Sequence, residues 1–211
     1  MEQEALEEYC EAHSTPQSEL LYRLTRETHQ KVMNPRMLSG HLQGMLLTML
    51  CRMMCAQRVL EIGTYTGYSA LCIAEGLADD GLLHTIEVNE EREDMIRRYL
   101  AQSPYEDKIQ LHIGDALQVI PTLREQWDMV YIDGDKEQYT DYYEMVLPQV
   151  RKGGIILVDN VLWGEKVIHE IRSGDKDTRA VCAFNEHVQH DERVTNFILP
   201  VRDGVMFIEK L

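Results

Sequence analysis

The chain of 211 residues has no apolar run approaching the ~18 residues that a membrane-spanning helix requires, which predicts no membrane partner. Its opening stretch, MEQEALEEYCEAHS, lacks the basic-then-apolar order of a secretion signal, so the expected location is cytoplasmic. Cys10, Cys51, Cys55, Cys72 and Cys182 are odd in number and form no CxxC pair. Neither a disulfide framework nor a zinc site is indicated, and Cys51 and Cys55, four apart in an apolar stretch, read as core thiols. Positive charge is scarce: 21 Lys and Arg stand against 36 Asp and Glu, a formal net charge of -15. The first nineteen residues hold no Lys or Arg and read as a solvated helix or tail. Such a charge repels polyanions at long range, which disfavours nucleic acid while leaving room for a local basic patch. Repeats, low-complexity segments and Pro/Gly-rich linkers are also missing, so residues 1–211 read as a single domain.

What is present is an apolar content of 44%, enough for a sizeable core. Ser18–Val32 reads as a helix broken at Asn34-Pro35. A second helix is predicted over Gly40–Cys55, with Leu42, Met45, Leu46, Met49, Leu50 and Met53 as one buried stripe at helical spacing. From Arg58 onward short apolar segments alternate with helical ones. Strands are expected at Val59–Ile62, Leu82–Val88, Ile109–Ile113, Met129–Asp133 and Gly154–Val158. Helices fall at Gly67–Ala78, Glu90–Gln102, Ala116–Leu123 and Tyr139–Val150. That alternation predicts an α/β, Rossmann-like, doubly wound and mostly parallel sheet with extra N-terminal helices. Val194–Leu199 and Val205–Glu209 flank Pro200–Gly204 as an antiparallel hairpin at one edge. Ligands of such sheets sit outside the carboxyl ends of the strands, where the chemistry is therefore expected.

The first strand runs into Glu61-Ile62-Gly63-Thr64-Tyr65-Thr66-Gly67. A dinucleotide fingerprint needs GxGxxG, and Tyr65 fills the place of the glycine that makes room for a pyrophosphate. Glu87 ends the second strand, where an acidic side chain can accept hydrogen bonds from both hydroxyls of a ribose. A nucleoside without a pyrophosphate points to S-adenosylmethionine rather than NAD. Asp115, after the third strand, is either an adenine contact or a helix N-cap, or both. Tyr131-Ile132-Asp133-Gly134-Asp135-Lys136 and Leu157-Val158-Asp159-Asn160 bring Asp133, Asp159 and Asn160 to neighbouring strand ends. Three hard oxygen ligands suit Mg²⁺ or another divalent cation. Lys136 is a general base if a nearby cation lowers its pKa, and otherwise a surface lysine. Trp163 either walls an aromatic substrate or packs on the sheet edge. His187 and His190, with Asp191, have the spacing of a metal pair but read as solvated residues at a polar helix end.

These motifs, in this order, resemble the cation-dependent O-methyltransferases, the group that contains catechol O-methyltransferase and caffeoyl-CoA O-methyltransferase, in its bacterial branch. The resemblance spans residues 18–211 and is most specific in VLEIGTYTGYSAL (59–71), YIDGDKEQYTDYYE (131–144) and GGIILVDNVLWG (153–164). It implies cofactor contacts by Ser39, Glu61, Gly63, Tyr65, Ser69, Glu87, Asp115, Ala116 and Asp133, with residues 1–57 as helices capping that site. It further implies metal ligation by Asp133, Asp159 and Asn160, catalysis by Lys136 with Asp133, and a homodimer. The implied acceptor is a small aromatic with vicinal hydroxyls, catechol-like or hydroxycinnamoyl-type. One departure concerns the last hairpin. Where catechol O-methyltransferase has a glutamate for the second hydroxyl, Asp203-Gly204 here leads to Val205-Met206. Two alternatives stay open: methylation of a hydroxylated uridine in tRNA, and a non-catalytic nucleoside-binding regulator. Lys166, Arg172, Lys176 and Arg179 form a candidate basic rim for a CoA phosphate or a tRNA backbone, or else a solvated charged loop.

Overall fold

A computed structural model describes residues 2–211. Helices α1 (Glu2–Ala12), α2 (Glu19–Lys31) and α3 (His41–Met54) precede the first strand, β1 (Arg58–Ile62). There follow α4 (Tyr68–Gly76), β2 (Leu82–Glu87), α5 (Glu93–Leu100), β3 (Ile109–Ile113), α6 (Ala116–Val119) and β4 (Trp127–Ile132). The chain ends with α7 (Tyr139–Val146), β5 (Val150–Asp159), α8 (Lys176–Gln189), β6 (Val194–Leu199) and β7 (Val205–Lys210). The seven strands lie in the order β3-β2-β1-β4-β5-β7-β6. The first five are parallel, and β7 runs antiparallel to both β5 and β6. This is the expected α/β arrangement with its antiparallel hairpin. Because β4 returns to lie beside β1 while β2 lies on the other side, the loops after β1 and β4 diverge and open a crevice at the carboxyl edge.

Strand periodicity of two distributes the core between the two faces. Val59, Met129, Tyr131 and Leu157 pack with Leu47 and Cys51 of α3 and Ala70 and Ile73 of α4. Leu60, Ile62, Val130, Ile132, Ile156 and Val158 meet Tyr139, Tyr143 and Val146 of α7 and Phe184 and Val188 of α8. Prolines end elements earlier than the apolar pattern does. Pro121 and Pro148 have no N–H to donate into a helix, so α6 and α7 pass into short 3₁₀ turns at Ile120–Thr122 and Leu147–Gln149. The fifth strand then starts at Val150, four residues before the expected Gly154.

The phase of α3 corrects the expected stripe. Met49 and Met53 are exposed at 53% and 79%, and Leu42, Met45, Leu46 and Leu50 are only half-buried. The buried face is Gln43, Gly44, Leu47, Thr48 and Cys51. Small residues let α3 sit very close to α4: a Cβ on Gly44 would meet Cys72 Sγ at 2.7 Å, and one on Gly76 would collide with the Thr48 carbonyl. Cys51 is a core thiol as expected, but Cys55 follows the helix end and is exposed. Of α8, only a polar end at His187–His190 is expected from the sequence. Its start is marked by Asp175, which accepts a hydrogen bond from the Thr178 N–H at 3.1 Å, and Val181, Phe184 and Val188 are buried.

Candidate active site

A cavity of about 350 Å³ opens at the crevice, walled by Gly63 and Tyr65 after β1, Glu87 at the end of β2, Asp115 and Ala116 after β3, and residues 133–135 after β4. Gly63 is required by its surroundings. It has φ +103°, and a Cβ there would collide with the backbone carbonyl of Asp133. The loop is held to the sheet by Gly63 N–H and Thr64 N–H, which both donate to the Ile86 carbonyl at 3.0 and 3.1 Å. Tyr65 sits at φ +54°, a region unusual for a bulky residue. Its N–H donates to Glu87 Oε2 at 2.7 Å, and its hydroxyl donates to the Met33 and Asn34 carbonyls. The buried Glu87 carboxylate also accepts from Asn89 N–H at 2.9 Å and from Arg92 Nη1 at 3.0 Å. Asp115 is the N-cap of α6, accepting from Leu117 N–H at 2.9 Å, and it also lines the cavity.

Ser39 and Ser69 line a narrow crevice beside this cavity together with Gly63, Tyr65 and Asp133. Glu61 lies behind the loop, fully buried, with Oε2 accepting from the Thr85 hydroxyl and Oε1 without a partner. Burial, reinforced by the charges of Asp133 and Glu87, pushes its carboxyl up to about 7. A buried acidic group with an unused oxygen fits a cationic ligand, and S-adenosylmethionine carries a sulfonium and an ammonium.

A second cavity, about 740 Å³, opens beyond Asp133 and is lined by Lys136, Asp159, Asn160, Trp163, Arg36 and Arg202 among others. Asp133, Asp159 and Asn160 all face it, so the strand ends bring together the three oxygen donors expected from the sequence. Asp159 is buried and is pushed up to about 6, first by burial and then by the charge of Asp133, while a hydrogen bond from Gln43 opposes the rise. Two carboxylates sharing one site favour a cation between them. The Lys136 ammonium already answers that demand in part. Its Nζ donates to Asp133 Oδ1 at 3.0 Å, Asn160 Oδ1 at 2.8 Å and the Tyr139 hydroxyl at 2.6 Å. Lys136 is therefore no ordinary surface lysine. Hard oxygens, paired acids and a neighbouring cation bridge together fit a divalent metal, which Asp133, Asp159 and Asn160 could hold.

Trp163 lines this cavity, with the Lys136 and Lys166 ammonium groups each 5.7 Å from its ring centroid. The expected basic rim needs correction. Of its four residues only Lys166 lines the cavity, and it pairs with Asp175 at 3.4 Å. Arg36 and Arg202, from segments far apart in the chain, line it instead. Met206 does not reach the cavity: it is buried in β7, opposite Val158 and Ile198. His187 and His190 stay on the surface as read. His187 pairs with Glu144 at 2.7 Å, and Arg193 fills the space between Glu144 and Asp191. Sequence reasoning missed Arg92, whose guanidinium lies 4.6 Å over the Tyr65 ring, and Asp135, which lines both cavities. No motif marks Arg92; Asp135 stood in plain view two residues beyond Asp133.

A mostly parallel seven-stranded sheet with this antiparallel edge, and with paired cavities at its switch point, defines the class I methyltransferase fold. The chain belongs to the O-methyltransferase family, whose model matches residues 11–211. It is 36% identical over 174 residues to catechol O-methyltransferase domain-containing protein 1 of Mus musculus, covering 80% of this chain and 66% of that protein. It is 34% identical over 180 residues to caffeoyl-CoA O-methyltransferase 2 of Zea mays, covering 80% and 68%. The fold is similar to that of the O-methyltransferase TomG from Streptomyces achromogenes, solved in complex with SAM. The TM-score is 0.92 at 29% identity, over 100% of this chain and 99% of that one. No helix of the described residues is long and apolar enough to cross a membrane.

Proposed function

We propose that the protein transfers a methyl group from S-adenosylmethionine to one of two neighbouring hydroxyls of a small aromatic acceptor, catechol-like or hydroxycinnamoyl-type, with Mg²⁺ or a similar cation at Asp133, Asp159 and Asn160. The observation that carries this reading is Asp133, which lines both the nucleoside-sized cavity and the cavity with the oxygen donors. A methyl donor and its acceptor must meet at such a shared wall. The SAM bound in TomG and the caffeoyl-CoA in the maize relative's name support it. The whole chain acts as one domain in this reading, with residues 1–57 capping the cofactor cavity, and works as a cytoplasmic homodimer.

When bound, the cofactor supplies an electrophilic methyl on a sulfonium, and the metal supplies Lewis acidity toward adjacent acceptor oxygens. The chain supplies the rest. Glu87 accepts from the ribose hydroxyls, Asp115 and Ala116 meet the adenine, and Ser39, Glu61 and Ser69 receive the amino-acid end. A phenol of pKa ~10 is ionised to about one part in a thousand at pH 7, a deficit of roughly 4 kcal/mol at ~1.36 kcal/mol per tenfold. Lys136, an ammonium as it stands between Asp133 and Asn160, would first release one proton to solvent, as a neighbouring cation favours, and its neutral Nζ then takes up the proton of the acceptor hydroxyl. Trp163 walls the ring, and holding oxygen and methyl in line supplies the orientation part of the rate.

Transfer of a labelled methyl group to catechols, their hydroxycinnamoyl-CoA esters and hypomodified tRNA, with and without chelator, tests the reading. Transfer to the aromatics, lost in chelator and restored by Mg²⁺, is expected. Arg36 and Arg202 at the rim favour the CoA ester over a neutral catechol. Two results count against the proposal: no transfer to any acceptor, which favours a nucleoside-binding regulator, and preference for tRNA by about tenfold with steep loss in salt.

A further inference from the structure

Gln43 of α3 is buried at 2% exposure, and its side-chain amide has two short bonds. Nε2 donates to Asp159 Oδ2 at 2.6 Å and to the Tyr131 hydroxyl at 2.8 Å. The Tyr131 hydroxyl in turn donates to the same Asp159 Oδ2 at 3.0 Å. Three side chains from α3, β4 and the end of β5 thus close a hydrogen-bonded triangle. The other Asp159 oxygen, Oδ1, accepts from the Asn160 N–H at 2.8 Å. Gln43 Oε1 lies 3.4 Å from Arg202 Nη1, which also donates to the Leu38 carbonyl at 3.2 Å.

We infer that Gln43, with Tyr131, is a positioning residue for the metal ligand Asp159, fixing the plane of its carboxylate from the side opposite the acceptor. The inference rests on the metal site proposed above and deepens it. Asp159 is the last residue of β5, and from the neighbouring backbone its carboxylate receives the Asn160 N–H on Oδ1, a single contact about which it could still turn. Two donors converging on one oxygen remove that freedom. Groups that orient a metal-ligating carboxylate typically change metal affinity by roughly 10–100-fold when removed. A purely structural role, in which Asp159 merely satisfies a buried amide, leaves metal affinity untouched once the protein is folded.

The test uses the full chain and Mn²⁺ alone, with free Mn²⁺ read by electron paramagnetic resonance, beside calorimetric titration of S-adenosylhomocysteine. Gln43→Met keeps the length of the side chain without its donors, and Tyr131→Phe removes the second donor while keeping the ring. Gln43→Met is expected to weaken Mn²⁺ by about tenfold or more, and Tyr131→Phe by less, with S-adenosylhomocysteine affinity within about twofold of wild type. Mn²⁺ affinity within about threefold of wild type in both folded variants overturns the inference. Asp159→Ala separates the two levels. If it binds Mn²⁺ as wild type does, the metal site itself is wrong; if it loses Mn²⁺ while the Gln43 and Tyr131 variants do not, only the positioning role fails.

Discussion

Glu61→Gln separates stability from binding at the cofactor loop. In the folded protein Glu61 keeps its proton up to about 7, against 4.5 for a free glutamate, because burial opposes its charge. In that window the folded state binds more protons than the unfolded one, so stability falls as pH rises and the loss is complete above pH ~7. The full cost is about 3 kcal/mol at ~1.36 kcal/mol per tenfold. Glutamine cannot ionise, but its amide nitrogen takes the position of an oxygen that has no partner, at a cost of about 1 kcal/mol. The variant should therefore be slightly less stable than wild type at pH 5 and about 2 kcal/mol more stable at pH 8. For a chain of this size that is a rise in Tm of about 4–8 °C. Other groups titrate nearby without spoiling the comparison. Asp159, pushed up to about 6, also loses stability as pH rises. His84 and His112, pushed down by burial, gain it as pH approaches 6.5. Both contributions are common to wild type and variant, so the difference between their curves isolates Glu61. Thermal unfolding from pH 5 to 8.5 without ligand reads it. Parallel curves, with no crossing, refute the assignment of a strained, uncompensated carboxylate. Calorimetry at pH 8 should show the same variant losing affinity for S-adenosylmethionine, since the buried charge is what a cationic ligand would offset.

Glu87→Ala should weaken S-adenosylhomocysteine at least about tenfold, about 1.4 kcal/mol by titration calorimetry, and unchanged affinity in the folded variant removes the ribose role. Asp159→Ala should lose turnover while keeping most cofactor affinity, and full activity after verified metal removal contradicts the metal mechanism. Lys136→Met should lower kcat by roughly 10²–10⁴, read at saturating acceptor in single-turnover assays, and a nearly unchanged chemical step assigns Lys136 to packing alone. Gly63→Ala should destabilise the fold by about 2–4 kcal/mol in denaturant unfolding, combining the cost of a left-handed alanine with overpacking against Asp133; a neutral effect shows that β1 and β4 can separate freely.

Much of the fold was legible because parallel strands buried on both faces write themselves as short apolar runs. Val59–Ile62, Ile109–Ile113 and the hairpin strands stand within a residue or so of their expected places. The polar ends of those runs were legible for the same reason: Glu87, Asp133 and Asp159 interrupt apolar sequence where a strand leaves the sheet. What failed was the end of each helix carrying a proline, and the whole of α8. Its large apolar positions, Val181, Phe184 and Val188, are three residues separated by small and polar ones, too thin a stripe to stand out in the sequence.

The site residues that were missed have a different cause. Arg36, Arg92 and Arg202 reach the cavities, and Gln43 reaches the Asp159 carboxylate from behind, all from segments with no chemical motif of their own, so only tertiary packing brings them there. Gln43 shows how one packing choice decides several outcomes. Apolarity alone favours turning the Leu42, Met45, Leu46, Met49 face of α3 inward. Close packing favours the opposite face, because Gly44 and Thr48 let α3 approach Tyr68, Cys72 and Gly76 of α4 within the thickness of a side chain. Close contact between two backbones gains dispersion along their whole length, and it offsets the exposure of a few flexible methionines. That rotation turns Gln43 toward Asp159. The misjudged stripe and the overlooked positioning residue are one error, since a helix phase read from hydrophobicity misses any face whose contribution is smallness rather than apolar area.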